Sequence, residues 1–210
     1  MLLAVSVLCG CTLIAAILSL LDELAYNHAS TINNVFTADE LTTKVEYLRK
    51  TNFNQSFFYS QNKELEGELL MRISALSRHV DENLLGQSSL AFRSSIEGNP
   101  ADGPLWAKFA MSKALLKQFD SEFDNALHKA FEYGGWDAGS TETIIRIGLT
   151  NTQGISVESL LIVKESLRRL YGVDPWHAIG LAKKTNQLHL TCTWVRDMTP
   201  VNPWCRKELQ

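Results

Sequence analysis

The sequence has no dense run of Lys or Arg, and its formal net charge is -3 at pH 7. A nucleic-acid interface needs a basic patch, so we exclude nucleic acid as a partner. The chain also lacks a Walker loop, GxGxxG and GxSxG, the motifs of nucleotide, dinucleotide and hydrolase sites. Its five histidines are scattered, without HExxH or HxH spacing. We therefore predict no catalytic residue, no metal site and no cofactor, and favour a binding protein over an enzyme.

Residues 1–21 carry no charged side chain. As a helix rising about 1.5 Å per residue they would span roughly 30 Å, the thickness of a membrane hydrocarbon core. No Lys or Arg precedes the apolar run, as one normally does in a cleaved signal peptide. We predict a retained transmembrane anchor; a cleaved signal and a buried soluble helix are the alternatives. Because no basic cluster follows the span, we expect export of the C-terminal portion.

The pattern after the span predicts an all-α fold. Thr37 and Glu40 have the spacing of a capping box, which predicts a helix over residues 38–50. Apolar residues at helical spacing predict a second helix over residues 62–83. Residues 22–83 are thus predicted to form a membrane-proximal helical region.

From residue 84 onward, shorter amphipathic helices alternate with Gly, Pro or Asp. Asp102 and Pro104 predict a helix start, and Gly134-Gly135 predicts the end of the next helix. Similar small-residue segments recur at about the 34-residue period of tetratricopeptide repeats. We predict a tetratricopeptide-like helical-hairpin domain over residues 84–186. Its packing residues are expected to be Trp106, Phe109, Ala110, Ala126, Ala130 and Phe131.

Three further helices are predicted over residues 140–149, 156–171 and 174–184. Residues 187–210 form a C-terminal tail, in which 188–195 is locally strand-like or a final short helix. Cys192 and Cys205 lie in this tail without CxxC spacing. They would pair as a disulfide in an oxidising compartment and remain free thiols in a reducing one.

Three neighbouring carboxylates, Asp120, Glu122 and Asp124, invite a calcium or glycosidase interpretation. Their spacing fits neither site, because the central Gly and terminal Glu of a calcium loop are missing. Asp120 stands instead where an N-cap is expected. We predict structural roles for these acids.

The five tryptophans fall into two classes. Trp106 and Trp176 lie on predicted helices, where packing in the helical core is expected. Trp136 and Trp204 lie in predicted loops, and exposed tryptophans often anchor interfaces. These two are the candidate contact surface.

A segment in the middle of the chain has the order Asn-Pro-x-Asp-x-x-x-Trp-x-x-x-Ala and is followed by small residues and a Gly-Trp turn. Its residues are Asn99, Pro100, Asp102, Trp106, Ala110, Ala126, Ala130, Gly135 and Trp136. Together with the predicted membrane span and tetratricopeptide-like helices, this order resembles the VpsP-type proteins of bacterial exopolysaccharide gene clusters, and the later run from Glu158 through Arg168 to Pro175 is also similar. The resemblance implies a single-pass protein of the bacterial inner membrane, with its C-terminal domain in the periplasm, that takes part in polysaccharide assembly.

Two functional hypotheses follow. In the first, the chain is a non-catalytic, membrane-anchored scaffold that binds other polysaccharide-assembly proteins through its helical domain. In the second, it binds or processes carbohydrate in the envelope. The second hypothesis uses Trp136 or Trp204 together with nearby carboxylates such as Asp137 or Asp197.

Overall fold

The computed structural model describes residues 37–51, 58–77, 80–198 and 203–208. Within these ranges all regular structure is helical, so the predicted all-α class is confirmed. The described helices are α1 (Ala38–Thr51), α2 (Tyr59–Leu76), α3 (Glu82–Gly98), α4 (Gly103–Leu115), α5 (Ser121–Gly134), α6 (Ala138–Thr150), α7 (Val157–Val173), α8 (Pro175–Lys184), α9 (Leu188–Trp194) and α10 (Pro203–Glu208).

The predicted transmembrane segment, residues 1–21, lies outside the described residues. Among the helices that are described, none combines the length and apolarity needed to cross a membrane.

The chain divides between Pro100 and Ala101 into two compact units. The predicted boundary between residues 83 and 84 instead falls in the first turn of α3. The difference arises because α3 packs against α2, so it belongs to the N-terminal unit. Several contacts hold this pair. The Phe92 ring lies where a Cβ on Gly67 would be, and the hydroxyls of Ser60 and Ser95 each donate to the other residue's carbonyl.

The N-terminal unit starts with the predicted capping box. The Thr37 hydroxyl accepts from the Glu40 N–H at 3.3 Å, and the Glu40 carboxylate accepts from the Thr37 N–H at 2.8 Å. The helix predicted over residues 62–83 is confirmed for 62–76, which lie in α2, and is wrong at residues 77, 80 and 81, which are not helical and precede the start of α3 at Glu82. Asp81 explains the restart, since its carboxylate accepts from the Leu84 N–H and caps α3. The apolar core between α1 and α2 consists of Leu41, Val45, Leu48, Leu65, Leu69, Leu70 and Ile73.

The C-terminal unit has two layers of helices. α4, α6 and α8 contact one another in succession, and α5, α7 and α9 do the same. Adjacent helices of the two layers also pack together, α4 on α5 and α6 on α7. The helices begin where capping residues predict, because Asp102, Asp120 and Asp174 each accept a hydrogen bond from a backbone N–H three residues later.

The predicted packing residues of α4 and α5 are not equally covered. Phe109, Ala110, Ala126 and Ala130 are fully buried, whereas Trp106 and Phe131 are half-buried. The two helices approach most closely where α4 begins and α5 ends.

At that point a Cβ added to Gly103 would overlap the backbone of Gly134, so no larger residue fits there. A Cβ on Gly134 would in turn lie 2.8 Å from the Ser140 hydroxyl of α6. These small residues therefore let three helix ends meet.

The three acidic residues at the start of α5 have structural partners. The buried Lys113 ammonium lies 3.0 Å from the Asp120 carboxylate and 2.7 Å from that of Glu122. Asp124 accepts hydrogen bonds from the hydroxyls of Ser156 and Ser159, which ties α5 to the start of α7. A buried ammonium requires such partners, so the Asp120 and Glu122 carboxylates satisfy Lys113 within the fold.

In the described part of the C-terminal tail, Leu188–Trp194 and Pro203–Glu208 are helical, which resolves the strand-or-helix alternative for residues 188–194. Cys192 in α9 and Cys205 in α10 are joined by a disulfide. Both are buried in a core with residues of α6, α7 and α8, among them Tyr171 and Ile179. The bond thus holds α10 against the end of the C-terminal unit.

Gly148 offers a test of the contact between α6 and α7. In Gly148→Ala the new Cβ would overlap the methyls of Val163 and lie 2.7 Å from its Cβ, which no rotamer change moves. We expect a loss of about 1–3 kcal/mol in the free energy of unfolding, measured by urea denaturation. The control is Gly180→Ala in α8, where a Cβ meets nothing within 4 Å. It should gain roughly 0.5–1 kcal/mol. Equal effects of the two substitutions would contradict the close approach.

Candidate functional site

The most exposed tryptophan of the described residues is Trp136, in the turn between α5 and α6, where 92% of the residue is accessible. The turn itself is ordered by hydrogen bonds. The Asp137 N–H donates to the Gly134 carbonyl at 2.9 Å, and the Thr141 hydroxyl donates to the Gly135 carbonyl. A rigid turn therefore presents a large apolar side chain to solvent.

Arg169 of α7 lies between two aromatic rings. Its guanidinium carbon is 4.3 Å from the centroid of the Phe131 ring and 5.2 Å from that of Trp136. The Glu165 carboxylate accepts from the Arg169 Nε at 3.2 Å and orients the side chain along α7. Cation–π contact of this kind stabilises both partners and reduces the freedom of the indole. The Arg169 guanidinium thus lies near the Trp136 indole, which nevertheless stays almost fully exposed.

Beside the indole lies a shallow apolar cavity of about 300 Å³. Leu170 and Val173 of α7 form its apolar wall, and Val173 is 88% exposed. We call Trp136, Arg169, Leu170 and Val173 together the Trp136 surface. Exposed aliphatic and aromatic groups gathered around an Arg are the usual composition of an interface centre.

Arg168, the neighbour of Arg169, turns towards the tail. It donates to the two Asp197 carboxylate oxygens at 2.5 and 3.0 Å and to the Trp194 carbonyl at 2.8 Å. The hydrogen bond from Arg168 lowers the pKa of the Asp197 carboxyl below its ordinary value. Asp197 therefore stays ionised well below neutral pH.

The two carboxylates proposed for carbohydrate processing have structural partners. Asp137 caps α6 by accepting from the Ser140 N–H at 2.6 Å, and Asp197 is held by Arg168. General acid catalysis needs a carboxyl that is protonated near the working pH, whereas the pKa of Asp197 is shifted the other way. The geometry of the Trp136 surface thus fits binding better than acid–base chemistry.

Trp204, the second candidate contact residue, lies in the short helix α10, where a loop was predicted. It is 45% exposed, and the Lys183 ammonium lies 3.2 Å from the centroid of its ring. The adjacent Cys205 bond holds α10 in place. The structure does not bring Trp204 into the Trp136 surface.

The prediction that Trp176 packs in the core is wrong, because 62% of the residue is exposed. The 3.6-residue period of the α-helix explains this exposure. Ala178 and Ala182 mark the buried face of α8, and Trp176 lies on the opposite face. Trp106 is half-buried, with its ring centroid 6.3 Å from that of Phe109.

Sequence reasoning missed Arg169 and Val173 as members of the site. They stand about one repeat length after Gly135 and Trp136, at the end of the next helix in the same layer. The repeat period could have indicated that these two helix ends lie side by side. The Arg–aromatic stacking itself had no signal in the sequence.

Within the described ranges, no group of three His, Cys, Asp or Glu side chains is placed to hold a metal ion. No protein-family model, curated protein or solved structure matches the chain. The site geometry and the motif residues are therefore the observations that bear on function.

The Cys192–Cys205 bond closes a short loop, and such a bond typically contributes about 2–4 kcal/mol. The substitutions Cys9→Ser and Cys11→Ser leave Cys192 and Cys205 as the only cysteines. In this variant, reduction should lower the free energy of unfolding by about 2–4 kcal/mol, measured by urea denaturation before and after reduction. Release of α10 should also increase acrylamide quenching of Trp204.

The control for quenching is Trp204→Phe in the same background. It should show no increase on reduction. An unchanged free energy of unfolding after complete reduction would contradict a stabilising role for the bond.

Proposed function

We propose that this chain is a non-catalytic, membrane-anchored helical scaffold that supports bacterial exopolysaccharide biosynthesis or export through protein–protein contacts. The observation that carries the proposal is the Trp136 surface, where a 92% exposed indole stands on an ordered turn beside an apolar cavity. The partner is another polysaccharide-assembly protein, and this chain contacts it through the Trp136 surface.

The composition of this surface supports a protein partner. Truncation of a few central residues, most often Trp, Tyr and Arg, accounts for most of the binding energy of protein interfaces. Trp136 and Arg169 are residues of this kind, and they are already in contact before any partner binds.

Three further observations support the envelope location. Residues 1–21 are uncharged and long enough to anchor the chain in the inner membrane. The Cys192–Cys205 disulfide fits the periplasm, because disulfides persist in oxidising compartments. The paired helices α4–α5 and α6–α7 fit a tetratricopeptide-like domain, the arrangement that the VpsP-type resemblance implies.

Carbohydrate binding is the second candidate function. The exposed Trp136 indole favours it, since a solvent-accessible ring provides a flat stacking platform. Asp137 and Asp197 are engaged within the protein, so the candidate is sugar binding without hydrolysis.

A photo-crosslinking amino acid in place of Trp136, in the full-length chain in its native membrane, tests the scaffold function. We expect crosslinks to a membrane or periplasmic protein of glycan assembly. Trp136→Ala should weaken the binding free energy for that protein by about 2 kcal/mol, a roughly 30-fold loss of affinity, and should reduce its co-purification accordingly.

Trp176 provides the matched control, because it is also an exposed tryptophan of the C-terminal unit. A crosslinker at that position and the variant Trp176→Ala should leave the partner unaffected. Equal effects at the two positions, or recovery of no glycan-assembly protein under mild detergent, would count against the scaffold.

Titration of the full-length protein with the native polymer, followed by tryptophan fluorescence, separates the two candidates. Sugar stacking on Trp136 predicts a saturable change that Trp136→Ala removes and Trp176→Ala retains. Protein-only recognition predicts no such change. A change that survives Trp136→Ala would rule out this surface as the sugar site.

A further inference from the structure

A second surface of the C-terminal unit lies apart from the residues of the Trp136 surface. The layer formed by α4, α6 and α8 carries a groove of about 310 Å³. We call it the basic groove. Its apolar wall includes Met111, Ala114 and Leu115 of α4, Ile147 of α6 and Leu181 of α8. Each helix of the layer therefore contributes an apolar residue.

The charged residues that line this groove all have the same sign. They are Lys117, Arg146 and Lys184, and no Asp or Glu lines it, although the whole chain is acidic with a net charge of -3. Arg146 pairs with Glu142 at 3.1 Å. In the part of the chain that the structure describes, no carboxylate lies within ion-pair distance of Lys117 or Lys184. Lys117 and Lys184 thus bring to the groove positive charge that no described carboxylate pairs with, while Arg146 is paired with Glu142.

Lys117 occupies an unusual backbone position for a lysine. It follows the end of α4 with φ 57°, in the left-handed region where Gly or Asn is preferred. After α8 the equivalent position is occupied by Asn186, with φ 56°. The Lys117 ammonium donates to the Asn151 side-chain oxygen at 2.8 Å, which holds it at the edge of the groove. The choice of lysine at this position is therefore not explained by helix termination.

The basic groove continues into a polar cavity of about 340 Å³. The two cavities share Lys117, Thr150 and Asn151, and the second extends past Gln153 and Gln187. Side-chain amides can donate to and accept from a peptide backbone. The combined surface is elongated, apolar at one end and amide-rich at the other.

We propose that the basic groove binds an extended acidic peptide segment of another protein, with an apolar side chain against Leu115 and Ile147 and carboxylates beside Lys117, Arg146 and Lys184. Charge complementarity identifies the acidic partner. The amide-rich extension favours a peptide over a lipid. The apolar cavity has no aromatic ring, and the Phe119 ring of the polar cavity already packs edge-on with Phe123 and against Gly154, which disfavours stacking of a sugar. This binding is separate from the contact proposed for Trp136.

Fluorescein-labelled short peptides test the proposal with the full-length protein in mild detergent. Each peptide of the first set consists of Glu and Asp with one Leu, Ile, Met or Phe, and the position of that apolar residue is varied along the peptide. The matched set carries Gln and Asn in place of the acids. Fluorescence anisotropy should show binding of the acidic set and roughly tenfold weaker binding of the amide set. The affinity should fall as salt is raised.

The double variant Lys117→Gln, Lys184→Gln should weaken binding of the acidic set by roughly tenfold. Its control, Lys50→Gln with Lys207→Gln, removes the same charge from two exposed lysines outside the groove and should bind normally. Thr150→Glu places a carboxylate on the groove wall and should give a similar loss. Circular dichroism and melting temperature verify that each variant folds.

Several outcomes would overturn the proposal: no binding by either peptide set, equal affinity for the two sets, or equal losses in the groove and control variants. Groove-dependent binding of phosphatidylglycerol vesicles or of an acidic polysaccharide, without peptide binding, would assign the groove to another ligand. Trp136→Ala should leave peptide affinity unchanged, so failure here is distinct from failure of the scaffold function.

Discussion

The C-terminal unit depends on the backbone contact between Gly103 and Gly134. Because neither residue has a side chain, the start of α4 and the end of α5 can touch, and the Ser140 end of α6 packs on the same point. This contact lies at the end of α5, directly before the turn that carries Trp136. The position of Trp136 on this turn depends on the positions of the two flanking helix ends, the end of α5 and the start of α6. The end of α5 meets the start of α4 without intervening side chains.

Local features of the fold could be predicted from the sequence because their causes are local. Asp102 and Asp174 cap helices through hydrogen bonds three residues away, and a stripe of apolar residues requires only one helix. The prediction of one helix over residues 62–83 failed at Asp81. The apolar residues keep a helical period on both sides of it, so the sequence pattern did not indicate that Asp81 caps a new helix. Sequence reasoning also failed at Trp176, since residue size was given more weight than the face of α8 on which it lies.

The candidate site could be predicted only in part. Trp136 was identified because a tryptophan after two glycines has no helix in which to be buried. Arg169 could not be identified, because its role arises from the packing of α7 beside α5 and from the ring of Phe131. The cations of the basic groove come from α6, from α8 and from the turn that follows α4, and no segment of the sequence is basic by itself. Surfaces formed across a helical layer emerge only from the tertiary arrangement.

The disulfide between α9 and α10 has a consequence for the array of helices as a whole. Stacked helix pairs leave an apolar face at each end, to which a further pair or a second chain can add. Cys205 belongs to the core formed with α7 and α8, so α10 covers part of this terminal face. The covalent bond thereby makes termination of the stack permanent in an oxidising compartment. In a reducing one, the same end is closed by non-covalent packing alone.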